Sequence, residues 1–198
     1  MPVRSARDDD YEFISALDAA LHTEGGEYPY PEPTFARLFT KRSFRIDGLS
    51  RNPTDNKPDW DTRFYIIETK NHVRAGFAVS SNWISSDELS REAGLTHRDI
   101  RLWFVGVLSK FRGVGLGQDA IQHIIDEPRP NNELGSQFGT YKTRLAVRLP
   151  KNFVRSSDLL ENYFDFDPHH SRGDMHILTC PIWRNAREET AIQPMLLA

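Results

Sequence analysis

Leu102–Leu108 (LWFVGVL) runs through Ser109-Lys110-Phe111 into the glycine-rich Arg112–Gly117 (RGVGLG), and Leu116, Ala120, Ile121, Ile124 and Ile125 then recur at helical spacing until Pro128. This succession of strand, glycine turn and helix decides the fold. The first run is the most apolar in the chain, as expected of a strand covered on both faces. Gly113, Gly115 and Gly117 let backbone N–H groups approach phosphate oxygens with no side chain in the way, and the unsatisfied N–H groups of the helix behind them add a positive end. The segment reads as an anion site, although a tight strand-to-helix turn would use the same glycines. Two phosphate motifs are excluded. Gly117 is followed by Gln118 and Asp119, so there is no G-x-x-x-x-G-K-[ST] and no phosphate-gripping lysine. The spacing is G-x-G-x-G rather than G-x-G-x-x-G, and the strand lies well into the chain, whereas the dinucleotide unit usually opens its domain.

Working outward, Val3–Ala6 is a short strand candidate. Phe13, Ile14, Leu17 and Leu21 then follow at helical spacing behind Arg7-Asp8-Asp9-Asp10, where Asp9 and Glu12 fit an acidic capping box. Thr23–Pro33 is dense in Gly and Pro and predicts a loop; Phe35, Leu38 and Phe39 predict a short second helix. Arg45–Asp61 reads as a surface excursion. Phe64–Thr69 and Ala75–Val79 predict a hairpin through Lys70-Asn71-His72, and Ile84–Asp99 is a polar insertion. Residues 128–142 read as loop. Leu145, Val147 and Leu149 predict a strand; Phe153, Ser157, Leu160 and Phe164 a helix; and Ser171-Arg172-Gly173-Asp174 the turn of a final hairpin reaching Met175–Thr179.

The 198 residues suffice for one domain with its own core and are too few for two ordinary ones. We divide them into a single domain over 1–183 and a C-terminal tail over 184–198. The single Cys180 and the charged Met1–Asp10 predict a reducing, cytoplasmic location and no signal peptide. No segment reaches the roughly 20 apolar residues of a membrane span. With 25 Lys and Arg against 28 Asp and Glu, there is no bulk attraction to a phosphate backbone, and nucleic acid is a poor partner. Lys41, Arg42 and Arg45 alone do not make a nucleic-acid surface. Asp167, His169, His170, Asp174 and His176 match no zinc signature and read as a polar hairpin, so no metal is expected.

Arg112–Gly117 and the strand ending in Val107 resemble the R/Q-x-x-G-x-G/A signature and cofactor strand of the GNAT superfamily of acyl-CoA-dependent N-acetyltransferases. The order of elements resembles that family from Val3 to Ile182, including Asn152 after one strand and Phe166-Asp167-Pro168 after the next helix. The fold implied is α/β (α+β), a central mixed, mostly antiparallel twisted sheet flanked by helices, with strands splayed at the acyl-CoA site. The resemblance also implies cofactor-binding roles. Backbone groups of Val105, Val107 and Ser109 would bind the pantetheine arm. N–H groups of Gly113, Val114, Gly115, Leu116 and Gly117 would hold the diphosphate of acetyl-CoA, with charge added by Lys110 or Arg112, and Asn152 would contact the cofactor.

The sequence departs from the family at the chemistry. Where members often place a Glu or His on the cofactor strand, Arg101 and Trp103 stand. Arginine, with a pKa above about 12, is no general base. The usual Tyr acid position is held by Glu161, and Asp165 stands where Gly is usual; Tyr163, two residues on and about 200° around the helix, is the candidate acid or else a core aromatic. Glu68 on a central strand is the candidate base or else a surface carboxylate. The loop after the first helix lines the acceptor pocket in the family, so Glu24, Glu27, Tyr28 and Tyr30 are candidates to bind a cationic amine through ion pairing and cation–π contact.

The implied activity is transfer of an acetyl or acyl group from acetyl-CoA to a primary amine of a small molecule or peptide, by direct attack on the thioester. The alternatives are a non-catalytic acyl-CoA-binding or regulatory module, and an acetyltransferase acting on a protein or aminoacyl-tRNA. Family members often dimerise, so a homodimer is compatible with the resemblance.

Overall fold

Continuous apolar runs in the central strands, Phe64–Ile67 and Phe77–Val79, give the sheet two buried faces, and each face acquires its own helical cover. The computed structural model describes residues 3–24, 27–39, 62–82, 92–95, 99–127 and 141–184. Within them the strands are β1 (Val3–Ser5), β2 (Thr62–Glu68), β3 (Arg74–Asn82), β4 (Ile100–Val107), β5 (Tyr141–Pro150), β6 (Asp167–Arg172) and β7 (Met175–Arg184). The helices are α1 (Tyr11–Thr23), α2 (Leu116–Asp126) and α3 (Val154–Phe164), and residues 35–39 are also helical. The sheet order is β1-β2-β3-β4-β5-β7-β6, antiparallel throughout except for the β4–β5 pair, which is parallel. Among the described residues no helix is long and apolar enough to cross a membrane.

On one face, Ile14, Leu17 and Leu21 of α1 pack with Phe35 and Phe39 against Phe64, Ile66, Phe77, Val79 and Phe104. On the other, Leu116, Ala120, Ile121 and Ile124 of α2 and Leu160 of α3 cover Tyr65, Ile67, Leu102, Leu145, Val147 and Leu149. These are the stripes expected from the spacing. Strand β4 differs from expectation, because its residues alternate between buried and half-buried instead of being covered on both sides. Its half-buried residues Trp103, Val105 and Val107 face a cleft.

Three further expectations are corrected or refined. The segment expected to be loop to residue 142 is already strand from Tyr141, because ten consecutive residues of β5 pair with β7. The Asp9–Glu12 capping box does not form. Asp10 is instead the buried acid, accepting from the Arg7 backbone N–H at 2.8 Å. The polar hairpin docks residues 92–95: His169 Nε2 meets the Ala93 carbonyl at 2.7 Å, while His170 and Arg172 meet Glu92 at 3.3 and 3.1 Å. Among the described residues no group of three His, Cys, Asp or Glu is arranged to hold a metal ion. The excursion at 45–61, most of the insertion, the Lys41-Arg42-Arg45 group and the tail beyond Arg184 lie outside the described residues.

Candidate active site

Strands β4 and β5 pair over only three positions, Ile100–Leu145, Arg101–Ala146 and Leu102–Val147. Beyond them β4 continues to Val107 and β5 to Pro150 without pairing, so the two strands diverge in a V. One cause is local. Val79 faces Phe104 while Ser80 faces Leu102, which makes Trp103 an extra residue on β4. Such a bulge leaves its residue out of the ladder and bends the strand. Trp103 and Phe104 consequently both pack on the α1 side.

The opened edge of β4 presents backbone groups to the gap. The N–H of Leu108 donates to the Ala75 carbonyl on β3 at 2.9 Å, and antiparallel alternation turns Val107 and Val105 to the opposite edge. The V encloses a cavity of about 530 Å³ lined by these strands, the glycine loop, α3 and the loop after α1. Its far end is the start of α2. Gly113 and Gly115 sit at φ 80° and 85°, the left-handed region that glycine adopts without strain. Gly115 is the N-cap and supplies no side-chain cap, so the first N–H groups of α2 stay available at the positive end of its dipole. Gly117 lies over Val105, whose Cγ1 would sit 3.8 Å from an added Cβ. The chain thereby builds an anion cradle at one end of an apolar slot.

Not every candidate reaches this slot. Val105, Val107, Arg112, Gly113, Gly115, Leu116 and Gly117 line it, as do Glu27 and Tyr163. Val114 is 65% exposed and its side chain is not part of the lining. Ser109 is exposed in a 3-10 turn, where its carbonyl accepts the Arg112 N–H at 3.1 Å. Asn152 is exposed in the turn after β5 and outside the lining, whereas its neighbour Phe153 is within it. Lys110 extends over the Phe111 ring at 5.0 Å. Arg112 is committed locally: its Nε donates to the Val107 carbonyl at 2.8 Å and its Nη2 meets Glu24 at 2.6 Å.

The catalytic candidates separate. Glu68 is corrected: it sits near the sheet edge, outside the lining, paired to Arg4 Nε at 2.9 Å with His72 at 3.4 Å. Arg4 also grips Asp10 at 2.7 and 2.9 Å, and Arg74 reaches Asp10 at 3.3 Å, so Glu68 belongs to a charge network that ties β1 to β2 and α1. Tyr163 lines the slot and is 68% exposed, which excludes the core-aromatic alternative. Glu161 turns to Ser157 Oγ at 2.6 Å.

The acceptor candidates are likewise divided. Glu24 is paired to Arg112. Glu27 accepts from the backbone N–H groups of Arg155 and Ser156, both at 2.9 Å, and from the Ser156 hydroxyl, so it caps α3 from across the slot. Tyr28 is structural, its hydroxyl donating to Asp18 at 2.5 Å and its ring packed on Phe35 and Phe104. Burial pushes the Tyr28 phenol well up, with the Asp18 carboxylate adding to the shift. Tyr30 packs edge-on against Phe35 at 5.5 Å; burial raises its phenol while nearby Arg101 and Arg148 oppose the rise. Sequence reasoning missed Ser156, Leu159 and Leu160 as lining residues, although with Tyr163 they form one helical face at spacings of three and four. It also missed the bulge at Trp103, for which the sequence carries no local signal.

This sheet, split between a parallel pair and closed by a glycine loop and helix, defines the GNAT fold. The chain has that fold, with the mostly antiparallel mixed sheet and flanking helices that the resemblance implied. Its similarity to a phosphinothricin acetyltransferase from Sinorhizobium meliloti, solved in complex with AcCoA, has TM-score 0.55 at 13% identity, covering 91% of this chain and 88% of that one. A GNAT-family acetyltransferase from Staphylococcus aureus Mu50 gives 0.56 at 7% identity over 91% and 98%. The ribosomal-protein-S18-alanine N-acetyltransferase from Escherichia coli gives 0.51 at 15% identity over 91% and 93%. No protein-family model matches the sequence, and no curated protein matches it.

Proposed function

We propose that the chain is an acyl-CoA-dependent N-acyltransferase that moves an acetyl group from acetyl-CoA to a primary amine of a small molecule or peptide. The observation that carries this reading is the three-residue β4–β5 ladder and the gap beyond it, which opens onto the uncapped start of α2. An extended amide-bearing arm fits that gap because Val105 and Val107 offer strand-like backbone partners in an apolar slot. The diphosphate fits the glycine loop, whose N–H groups and helix dipole favour negative charge. Arg112 acts by holding the loop to β4 and α1 through Val107 and Glu24 instead of gripping phosphate.

In the reaction the neutral amine nitrogen forms a bond to the thioester carbonyl carbon, and the carbon–sulfur bond breaks. Tyr163, whose side chain lines the slot, supplies the proton to the leaving thiolate. The amine proton leaves through water at the open mouth. Arg101 and Trp103 occupy the β4 positions where a base is usual, and Glu27 is committed to α3. That same shortage of bases favours one second reading, an acyl-CoA-binding module without chemistry.

The two readings are separated by thiol release from saturating acetyl-CoA over a panel of amines. Cys180 is buried, and burial raises its thiol above the ordinary cysteine value, so the protein adds little fast background. We expect release that requires an acceptor and falls roughly 10²- to 10⁴-fold in Tyr163→Phe, the usual worth of a positioned acid. Binding of acetyl-CoA with no release from any amine would favour the module.

A further inference from the structure

Of the side chains that line the slot among the described residues, only those of Glu27 and Arg112 carry charge, and both are committed within the protein. Glu27 Oε1 accepts the Arg155 N–H at 2.9 Å, while Oε2 accepts the Ser156 N–H at 2.9 Å together with the Ser156 hydroxyl. A carboxylate so placed at the start of α3 is satisfied by the helix. Arg112 donates to the Val107 carbonyl and is paired with Glu24 at 2.6 Å. The end of the slot beside the β4–β5 ladder is walled by apolar side chains. Leu102 is the last residue of β4 to pair with β5, so an arm running along β4 from the glycine loop brings its thioester toward this end, where the acceptor has to meet it. Trp103, Phe104 and Pro29 wall its α1 side; Phe153, Leu159 and Tyr163 wall its α3 side. The Trp103 indole N–H is used on Ser81 Oγ at 2.7 Å. Arg101 stacks on the Trp103 ring at 3.4 Å and is outside the lining. Leu159, half-buried, and Tyr163, 68% exposed, belong to no apolar core of the described residues.

We propose that this end of the slot is the acceptor subsite and that the acceptor is a small monoamine with an uncharged, apolar body, alkyl or aralkyl, in preference to an amino acid or a polyamine. The inference rests on the acyltransferase reading and names its substrate class. A second charge on the acceptor, of either sign, would give up its water against a wall whose own charges are already paired, which is costly. An apolar body instead gains from every methylene it buries. The same wall bears on the missing base. The amine reacts as its neutral form, and an apolar site favours that form by withholding solvation from the ammonium. An acceptor taken up neutral needs no carboxylate at the positions of Arg101 and Trp103. The loop carboxylates that suggested ion pairing, Glu24 and Glu27, take no part in its recognition.

The test measures acetyl-CoA-dependent thiol release for matched amines: the straight-chain series from ethylamine to hexylamine, butylamine beside diaminobutane, and phenethylamine beside phenylalanine. Phenylalanine has the more readily deprotonated amine, so intrinsic reactivity works against the expected result. Along the series kcat/KM should rise about fourfold per methylene buried, until the body fills the subsite. Each charged partner should be used at least about tenfold less well than its uncharged match, as for a charge buried without a partner. Leu159→Glu puts a carboxylate on the wall and should narrow the ratio of butylamine to diaminobutane about fivefold, the effect of one opposite charge at close range in water. Equal or better use of phenylalanine or diaminobutane by the wild type, a flat response from ethylamine to butylamine, or an unaltered ratio in folded Leu159→Glu would overturn the inference while leaving the acyltransferase reading in force. Absence of thiol release from every amine, with or without acetyl-CoA binding, would overturn both.

Discussion

Replacing Glu27 by alanine removes the group that starts α3. The helix has Phe153 at its N-cap and no side-chain cap of its own. The N–H groups of Arg155 and Ser156, which a local cap would satisfy, are instead bound by Glu27 at 2.9 Å each. Loss of a cap costs about 1 kcal/mol and up to about 2, and a carboxylate at a helix start contributes about 0.3–1 kcal/mol more. Glu27 is half-exposed, so we take about 1–2 kcal/mol for the total. For a chain of this size each kcal/mol moves Tm by about 2–4 °C, giving a fall of about 2–8 °C by scanning calorimetry. Glu27→Gln keeps an acceptor oxygen and should lose about half as much. Because α3 carries Leu159 and Tyr163 into the slot, thiol release should fall together with stability. An unchanged Tm in Glu27→Ala with only a raised KM for the amine would refute the cap and restore Glu27 as an acceptor anchor.

Three other perturbations probe separate parts of the structure. Gly115→Asp puts a carboxylate at the cradle; at about 4 Å from a phosphate in water this costs about 1 kcal/mol per charge, so acetyl-CoA affinity should fall at least about fivefold relative to Gly115→Ala, which shares the backbone strain. Equal affinities of the two variants by calorimetry would take the cradle off the diphosphate. Gly76→Ala places a Cβ 2.2 Å from the Gly106 carbonyl oxygen and 3.1 Å from Val107 Cα, forcing β3 from β4, so denaturant melts should lose about 1–3 kcal/mol as in other overpacked sites; unchanged stability would contradict the close approach. Asp10 is held below the usual carboxylate range chiefly by its hydrogen bonds from Arg4, against the cost of burial. Its contribution should be complete above about pH 5, where the unfolded carboxyl is fully ionised, and should be lost as pH falls through the folded pKa. Asp10→Asn should therefore flatten the acid limb of the Tm–pH curve, and an unaltered limb would refute the assignment.

The strand–glycine–helix succession was legible because its signals are local: an apolar run, glycines where the backbone turns left-handed, and a helical stripe ended by proline. Helix α3 and both hairpins were legible for similar reasons. What escaped depends on partners distant in sequence. The bulge at Trp103 arises from the pairing of β4 with β3, and no residue type announces it. Glu68 looks like a central-strand base until Arg4, 64 residues away, claims it. Glu24 and Glu27 look like acceptor ligands because their partners, Arg112 and the start of α3, lie far along the chain. The lining by Ser156, Leu159 and Leu160 could have been recognised from Tyr163, the candidate acid, because all four share a helical face, and that face forms part of the slot wall.

The central claim is that the gap between β4 and β5 receives an acyl-CoA. Calorimetric titration of the protein with acetyl-CoA, beside NAD and ATP, tests it most directly. The account predicts saturable micromolar binding of acetyl-CoA with no comparable binding of NAD or ATP. No binding of acetyl-CoA, or equal binding of all three, would contradict it and reduce the glycine loop to a structural turn.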